Sequence, residues 1–459
     1  MSTPNTNSWG RLKQVARARA DLKTPFIAPT DKTVLPFGNG RSYGDSCHND
    51  EGTLIDSRKR SAVLKFDTAT GLLRAESGVL LHDILNVISK SGWFLPVLPG
   101  TRFVTLGGAI ANDIHGKNHE HRGTFGCHVS SFNLARSDRP DVFCSSVENV
   151  NLFEATIGGF GLTGIILDAE IQLVRVPSHH VMEKRTAFKS MRGFMDLANE
   201  STAEYAVAWV DSLARGSKFG RGIFIEGEHA LQAPDYSYST PKLNVPFTAP
   251  FPLISGMPLK LFNTAYHFAK SGQKKPELVD PSSFFFPLDA IGEWNKLYGP
   301  KGLFQHQCVI PQEGATQILE RLLATAQNAG QGSFLTVLKK FGTVTSPGLM
   351  SFPKPGFTLT LDFANRGKAT RDLLDELDRI VLSVGGRTNP YKDARMNAKT
   401  FQEGFPNWEK LGALRDPAII SDFWHRTTKI KHVDAPSLAA DWRETQLTKS
   451  LNQNLRKQS

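Results

Sequence analysis

GNGRSYGD, residues 38–45, packs three glycines, an arginine, a tyrosine and an acid into eight positions, and the residues after it separate two fold classes. In a doubly wound α/β domain, G-x-G-x-x-G joins a strand to a long helix whose amide end holds a phosphate, with an acid about twenty residues on. Here the spacing is Gly38-x-Gly40-x-x-x-Gly44, and the chain continues as DSCHNDEGTLID, turn residues leading into a strand. No helix dipole is on offer, so the doubly wound class is excluded. A glycine loop without a helix still binds anions, because successive backbone N–H groups in a turn form a concave nest. Taken alone, the octapeptide could equally be a hairpin turn.

Two more glycine clusters accompany it. PGTRFVTLGGAIANDIHGKNH, residues 99–119, mixes Gly, Thr, Asn and His into a segment apolar enough to be buried, and GGFGLTG comes later at 158–164. Buried backbone polarity needs partners. Three such loops in one half of the chain predict a long, polar, partly buried ligand.

Short strands and turns surround these loops: TLIDS at 53–57, AVLKFD at 62–67 and LLRAESGV at 72–79. One amphipathic helix, LLHDILNVISKSG, puts Leu81, Ile84, Leu85 and Ile88 on one face. From about 235 to 285 the chain is rich in Pro, Ser and Phe, which predicts an irregular excursion. Between 303 and 390 the pattern is regular again. LFQHQCVI, SFLTVLKKFG, FTLTLDFA and a short RTNPY read as strands. EGATQILERLLATAQNAG and TRDLLDELDRIVLSVGG read as helices, the second with Leu373, Leu374, Leu377, Ile380 and Val381 inward and Gly385/Gly386 as its stop. The order β-α-β-β-α-β is that of a split, ferredoxin-like unit, an antiparallel sheet with helices on one face. The fold class predicted is α+β.

Hydrophobic residues make up 40% of the 459 and charged residues 21%, which affords a sizeable core. No run of about 18 apolar residues predicts a spanning helix. The polar start, MSTPNTNSWGRLKQ, predicts a cytoplasmic protein. Cys47, Cys127, Cys144 and Cys308 lack metal-ligand spacing and read as reduced thiols, so no metal site is predicted. A net charge of +10 suits nucleic acid, anionic lipid or a phosphorylated substrate. The basic residues are scattered, without interleaved aromatics, which speaks against nucleic acid.

Together, LPFGNGRSYGD (35–45), LPVLPGTRFVTLGGAIANDIHGKNH (95–119), GFGLTGII (159–166), FPLDAIGEWNKLYGP (286–300), FQHQCVIP (304–311) and YKDAR (391–395) resemble the vanillyl-alcohol-oxidase-type flavoproteins. The likeness is greatest to the decaprenylphosphoryl-β-D-ribose 2′-oxidases, with aldonolactone oxidases more distant, and runs from about Trp9 to Arg426. It implies a two-part FAD-binding domain over 1–178, a substrate domain on an antiparallel sheet over 179–400, and a segment from 401 to 459 that returns to the first domain and ends in a basic tail. It assigns FAD contacts to Gly38, Asn39, Gly40, Arg41, Ser42, Tyr43, Gly44 and Asp45 in the first loop. In the second it assigns Gly100, Thr105, Gly107, Gly108, His115, Gly116, Lys117 and Asn118, with Ile165 near the adenine and Asn389 beside the ring. Many relatives carry Gly-x-Gly-His-Ser, whose histidine bonds covalently to the flavin. Arg41 stands at that place and cannot form the bond, so dissociable FAD is expected.

Oxidising a secondary alcohol sends hydride from carbon to flavin N5 and a proton from oxygen to a base, while negative charge grows at the N1–C2=O edge of the ring. His115 and Lys117 suit ring contact. The resemblance places Lys392 over the flavin, with Tyr43 and Gln307 lining the same pocket. Three departures concern the substrate: the family's pocket cysteine aligns with Thr360, a pocket tyrosine with Asn389, and an aromatic-histidine pair with Phe285 and Phe286. The function implied is oxidation of a sugar alcohol to a ketone, at the 2′-hydroxyl of polyprenylphosphoryl-ribose. An aldonolactone oxidase and a non-catalytic flavin-binding partner of an epimerase complex are the alternatives. Implied partners are oxygen or a quinone as electron acceptor, an NAD-dependent reductase completing an epimerisation, and peripheral contact with the inner membrane.

Overall fold

The computed structural model describes residues 6–29, 32–241, 243–254, 256–273 and 275–430. In the first half, β1 (Ala18–Asp21), β2 (Val34–Phe37) and β3 (Thr53–Asp56) form a parallel sheet with β3 in the middle. GNGRSYGD leaves the end of β2, turns at Gly40 with φ of +60°, where glycine alone is unstrained, and passes through one 3₁₀ turn, Asp45–Cys47, on its way to β3. An antiparallel sheet comes next. It comprises β4 (Val63–Phe66), β5 (Leu72–Glu76), β6 (Val129–Ala135), β7 (Val142–Ser145) and β8 (Ile165–Gln172), in the order β4-β5-β8-β6-β7. Helix α1 (Leu81–Ile88) buries Leu81, Ile84, Leu85 and Ile88 completely, the stripe its periodicity announces. Helix α2 (Leu106–Ala111) starts at Thr105, whose hydroxyl accepts the Gly108 N–H at 3.1 Å and so satisfies one of the donors a helix start leaves free.

The second half is one large antiparallel sheet. Its strands are β9 (Val181–Phe188), β10 (Tyr205–Val210), β11 (Gly222–His229), β12 (Glu277–Val279), β13 (Leu303–Ile310), β14 (Val337–Phe341), β15 (Gly356–Ala364) and β16 (Arg387–Thr388). Their order is β12-β9-β11-β10-β14-β15-β13-β16. The β-α-β-β-α-β order expected over 303–390 is present, and β10 joins it to a second unit over 181–229. Helices α3 (Met191–Glu200), α4 (Ala315–Asn328) and α5 (Lys368–Leu382) cover one face. Leu373, Leu374, Leu377, Ile380 and Val381 of α5 pack with Leu359, Leu361 and Phe363 of β15. Each such burial contributes about 1.5–3 kcal/mol.

The middle segment departs from the irregular excursion expected. It contains a 15-residue helix, α6 (Gly256–Lys270), then β12 and a helical turn at Pro281–Phe285. Among α6 residues only Leu259 and Asn263 are buried, whereas Met257, Leu261 and Phe268 are exposed. Apolar residues therefore lie on more than one side, and no single stripe marks the helix in sequence.

The chain then returns to its first half. Val34 N–H donates to Ala418 O (2.8 Å), and Ile420 N–H to Val34 O (3.0 Å). Phe423 and Trp424 share a core with Leu35, Phe37 and Leu54. The basic tail beyond Ile430 lies outside the described residues. Gly44 is pressed against the backbone of Asp393, where a Cβ would overlap the carbonyl oxygen. The first glycine loop and the loop carrying Lys392 are thus locked together. Gly44→Ala is expected to lower stability by about 1–3 kcal/mol, the usual cost of overpacking, as measured by urea unfolding. An unchanged midpoint would show that the two loops yield independently.

Candidate active site

The face of the large sheet not covered by helices looks across a cleft of about 450 Å³ at the three glycine loops. Period-two alternation aims Gln305 and Gln307 of β13, Val337 and Lys339 of β14 and Thr360 of β15 into it, while their neighbours Phe304, Cys308, Leu338, Leu359 and Leu361 face the helices. Gly38, Asn39, Gly40, Arg41, Ser42 and Tyr43 line the cleft opposite. So do Gly100, Thr105, Gly107, Gly108, His115, Gly116, Lys117, Ile165 and Lys392.

Four of the residues expected at the site lie behind it instead. Gly44 packs on Asp393. Asp45 pairs with Arg426 (2.9 Å), closing the C-terminal helices onto the loop. Asn118 donates to Pro96 O (2.9 Å) and Glu204 Oε1 (3.2 Å), holding the end of the second loop. Asn389 donates to Gln307 Oε1 (2.9 Å) and so orients a residue that does face the cleft. Lys117 lines the wall but its ammonium turns to Phe284, donating to that carbonyl oxygen and lying 4.3 Å from the ring centre; burial lowers its pKa to about 8.

A hydrogen-bond chain fixes protonation around His115. With its Oε1 held by Asn389, the Gln307 amide points Nε2 at both Thr358 Oγ1 (3.0 Å) and His115 Nε2 (3.0 Å), and donates to each. His115 Nε2 thus accepts, so the ring proton is on Nδ1. Lys339 Nζ lies 3.1 Å from that Nδ1 and donates to Gly116 O at 3.1 Å. Lys339 must accept from the imidazole as a neutral amine, and its surroundings agree. Burial, then the charges of Lys392 and Lys117, push its pKa well below the lysine range. Burial likewise, with Lys339 next, pushes His115 well below the imidazole range. With both ring nitrogens engaged, His115 is an orienting group in this geometry.

Lys392 has a different setting. Its ammonium stands 5.8 Å from the ring centre of Tyr43. Burial lowers its pKa, and the negative charge of Asp362 partly restores it. Asp362 is fully buried on β15, accepts from Gln305 Nε2 at 2.6 Å, and is raised by burial. The acid is drawn up to about 7 and the amine down to about 8, so the charge of each weighs on the other through space, without an ion pair between them among the described residues.

Sequence reasoning missed Asp362, Lys339 and Gln305. FTLTLDFA alternates Thr358, Thr360 and Asp362 against Leu359, Leu361 and Phe363, which by pattern is a strand with one solvated face. That polar face is buried, at 0%, 5% and 0% exposure. The available signal was the same alternation one strand over, where Gln305 and Gln307 share a face.

Elsewhere His48, Asp50 and Asp422 gather within metal-ligand reach of one another. Arg17 (2.7 Å) and Lys13 already pair with Asp50, so cations of the chain itself occupy that place.

Residues 26–138 match the model of the FAD binding domain. Decaprenylphosphoryl-β-D-ribose oxidase of Mycolicibacterium smegmatis is 34% identical over 91% of this chain and 95% of its own length. The chain belongs to this family of FAD-binding oxidases. L-gulonolactone oxidase of Mus musculus is 31% identical over 35% of each chain. The cofactor is FAD, and the cleft fits it. The hydroxyls of Ser46 and Ser77 are buried in the cleft wall without a partner among the described residues, as donors waiting for phosphate or ring oxygens would be. Gly38 lies so close to Thr105 that a Cβ would overlap its hydroxyl, which keeps the first two loops tight around a narrow slot.

The His115 chain is checked by ¹⁵N NMR of the selectively labelled holoenzyme. Its imidazole is expected to stay neutral at and above about pH 6.5, with Nδ1 protonated, because burial holds the folded pKa well below the ordinary imidazole value. A ring that titrates near the ordinary value of about 6.5 would break the chain.

Proposed function

We propose that this enzyme oxidises a secondary alcohol of a sugar to a ketone, that the alcohol is the 2′-hydroxyl of a polyprenylphosphoryl-ribose, and that the two halves form the two-domain arrangement of the vanillyl-alcohol-oxidase type. The observation that carries it is Lys392, half-buried in the cleft wall beside the Tyr43 ring, with the charge of the fully buried Asp362 acting on it. Bound FAD supplies the hydride acceptor. Lys392, as a neutral amine, takes the hydroxyl proton and becomes a cation beside Asp362. Tyr43, at the foot of Lys392, positions the sugar, and the Gln307–His115–Lys339 chain presents fixed dipoles to charge growing in the ring. The substrate is that of the Mycolicibacterium smegmatis relative by name. Arg41 in place of a tethering histidine supports a dissociable flavin, released on denaturation.

Anaerobic mixing with polyprenylphosphoryl-ribose is expected to bleach the flavin absorbance, whereas a sugar lactone should not; the reverse would assign a lactone oxidase. Lys392→Met should retain FAD and lose at least ~100-fold in kcat, the scale of general-base catalysis. For the wild type, kcat/KM should rise with pH along a limb below the ordinary lysine pKa of about 10.4. Asp362→Asn removes the charge that favours the ammonium, so this limb should move to lower pH. A limb that stays in place would separate Asp362 from the proton's path.

Among the described residues no helix is long and apolar enough to cross a membrane. Peripheral contact is supported by α6, which exposes Met257, Leu261 and Phe268 beside Lys260 and Lys270. Phe268→Ser should weaken co-sedimentation with anionic vesicles and leave turnover of a short-chain substrate intact. Equal sedimentation of both proteins would refute contact through α6.

A further inference from the structure

Beside the main cleft lies a second cavity of about 270 Å³. It shares Trp9, Asn39, Gly40 and Arg41 with the cleft, so the two meet at the first glycine loop. Its other walls carry Arg11, Arg58, Lys296 and one acid, Glu293. Arg58 is committed to Asp56 at 2.7 Å, and Lys296 lies 3.6 Å from Glu293. That leaves two guanidinium groups without a carboxylate at ion-pair distance among the described residues.

Both are built into the wall. Arg41 lies 4.4 Å from the Trp9 ring centre and 5.6 Å from that of Phe103, and its Nε is buried without a partner. Arg11 donates through Nη2 to Thr248 Oγ1 (2.9 Å) and Gln14 Oε1 (3.2 Å), while its Nη1 is buried without a partner. Burial disfavours the charge on each; Glu293 offsets it for Arg11, and Asp289, Glu293 and Tyr43 offset it for Arg41, all from further away than an ion pair. Guanidinium stays charged in proteins, so two partly desolvated groups, each with a buried N–H donor left unused, call for an anion, and their forked geometry matches phosphate oxygens.

The surroundings specify which phosphate. On one side Arg41 is two residues from Tyr43, whose ring stands beside Lys392 in the cleft. On the other, Thr248 belongs to a stretch that runs along 291–299 through Val245 N–H to Gly292 O (2.9 Å) and Ala249 N–H to Lys296 O (3.1 Å). That stretch exposes Leu243, Phe247 and Phe251, at 68%, 67% and 62%. An anion in the cavity therefore has the reacting site on one side and an apolar strip on the other.

We infer that this cavity is a phosphodiester subsite, in which Arg11 and Arg41 hold the phosphate of a lipid-linked sugar while the sugar reaches toward Lys392 and the isoprenoid chain leaves across Phe247 and Phe251. This rests on the proposed substrate being a polyprenylphosphoryl sugar. The pyrophosphate of FAD is the other phosphate that could meet these arginines, and the two are separable because Arg11 lies outside the glycine loops. In the holoenzyme, Arg11→Gln should raise KM for polyprenylphosphoryl-ribose about tenfold, and Arg11→Lys should restore most of the loss. FAD affinity, melting temperature and turnover of an alkyl riboside lacking phosphate should not change. An equal loss on both sugars, or loosened FAD, overturns the subsite. A second arm needs no turnover: octyl methyl phosphate should quench tryptophan fluorescence of the wild-type holoenzyme and not of Arg11→Gln. Quenching that survives the substitution overturns the subsite. If neither sugar is oxidised while this quenching depends on Arg11, the substrate reading fails and the subsite stands.

Discussion

The site depends on one constraint: a sheet face that is polar and yet withdrawn from water. Gln305, Gln307, Thr358, Thr360 and Asp362 are all buried on adjacent antiparallel strands. Buried polar atoms must find partners, and here they find them in one another and in the loops across the cleft. Gln305 engages Asp362; Gln307 spans Asn389, Thr358 and His115. The sheet can keep this face because its other face is mostly apolar and sealed by three helices, with His306, the polar residue of β13 on that side, paired to Asp378 of α5 at 3.0 Å. Stability sits on one side and chemistry on the other.

Withdrawing that face from water also sets the protonation pattern. Lys339 and Lys392 would be firm cations in solvent; in the cleft, desolvation lowers both, Lys339 well below the lysine range and Lys392 to about 8. Their difference comes from single neighbours. Lys339 is committed to His115 and Gly116, so its neutrality serves to hold a tautomer. Lys392 lines the cleft with the charge of Asp362 acting on it, so it holds its proton more loosely than a solvated lysine while remaining able to carry it. Two lysines with similar burial thus acquire unlike roles.

The turn-rich first half was legible because glycine spacing without a following helix leaves few alternatives, and α1 and α5 were legible because their stripes have period 3.6. The β-α-β-β-α-β order emerged from alternation. Two things were hidden, for opposite reasons. Helix α6 carries apolar residues on faces that the protein does not cover, so it has no stripe. Strand β15 has a perfect stripe whose polar side is buried, so alternation alone assigns it to solvent. The second case explains why Asp362 escaped notice while Lys392, in a loop next to a recognisable motif, did not. Pattern reports which side chains share a face, and only tertiary structure reports whether that face is wet.

GNGRSYGD ends with more duties than its glycines suggested. Gly40 makes the turn, Gly44 is wedged on Asp393, and Asp45 ties down Arg426. Between them, Tyr43 lines the main cleft beside Lys392, and Arg41 lines both that cleft and the basic side cavity. Glycine supplies the close approach, and the residues between the glycines reach outward from it. An octapeptide of this kind therefore brings the main cleft, the loop of Lys392 and the basic side cavity within a few residues of one another. A shift in any one of them would be felt by the other two.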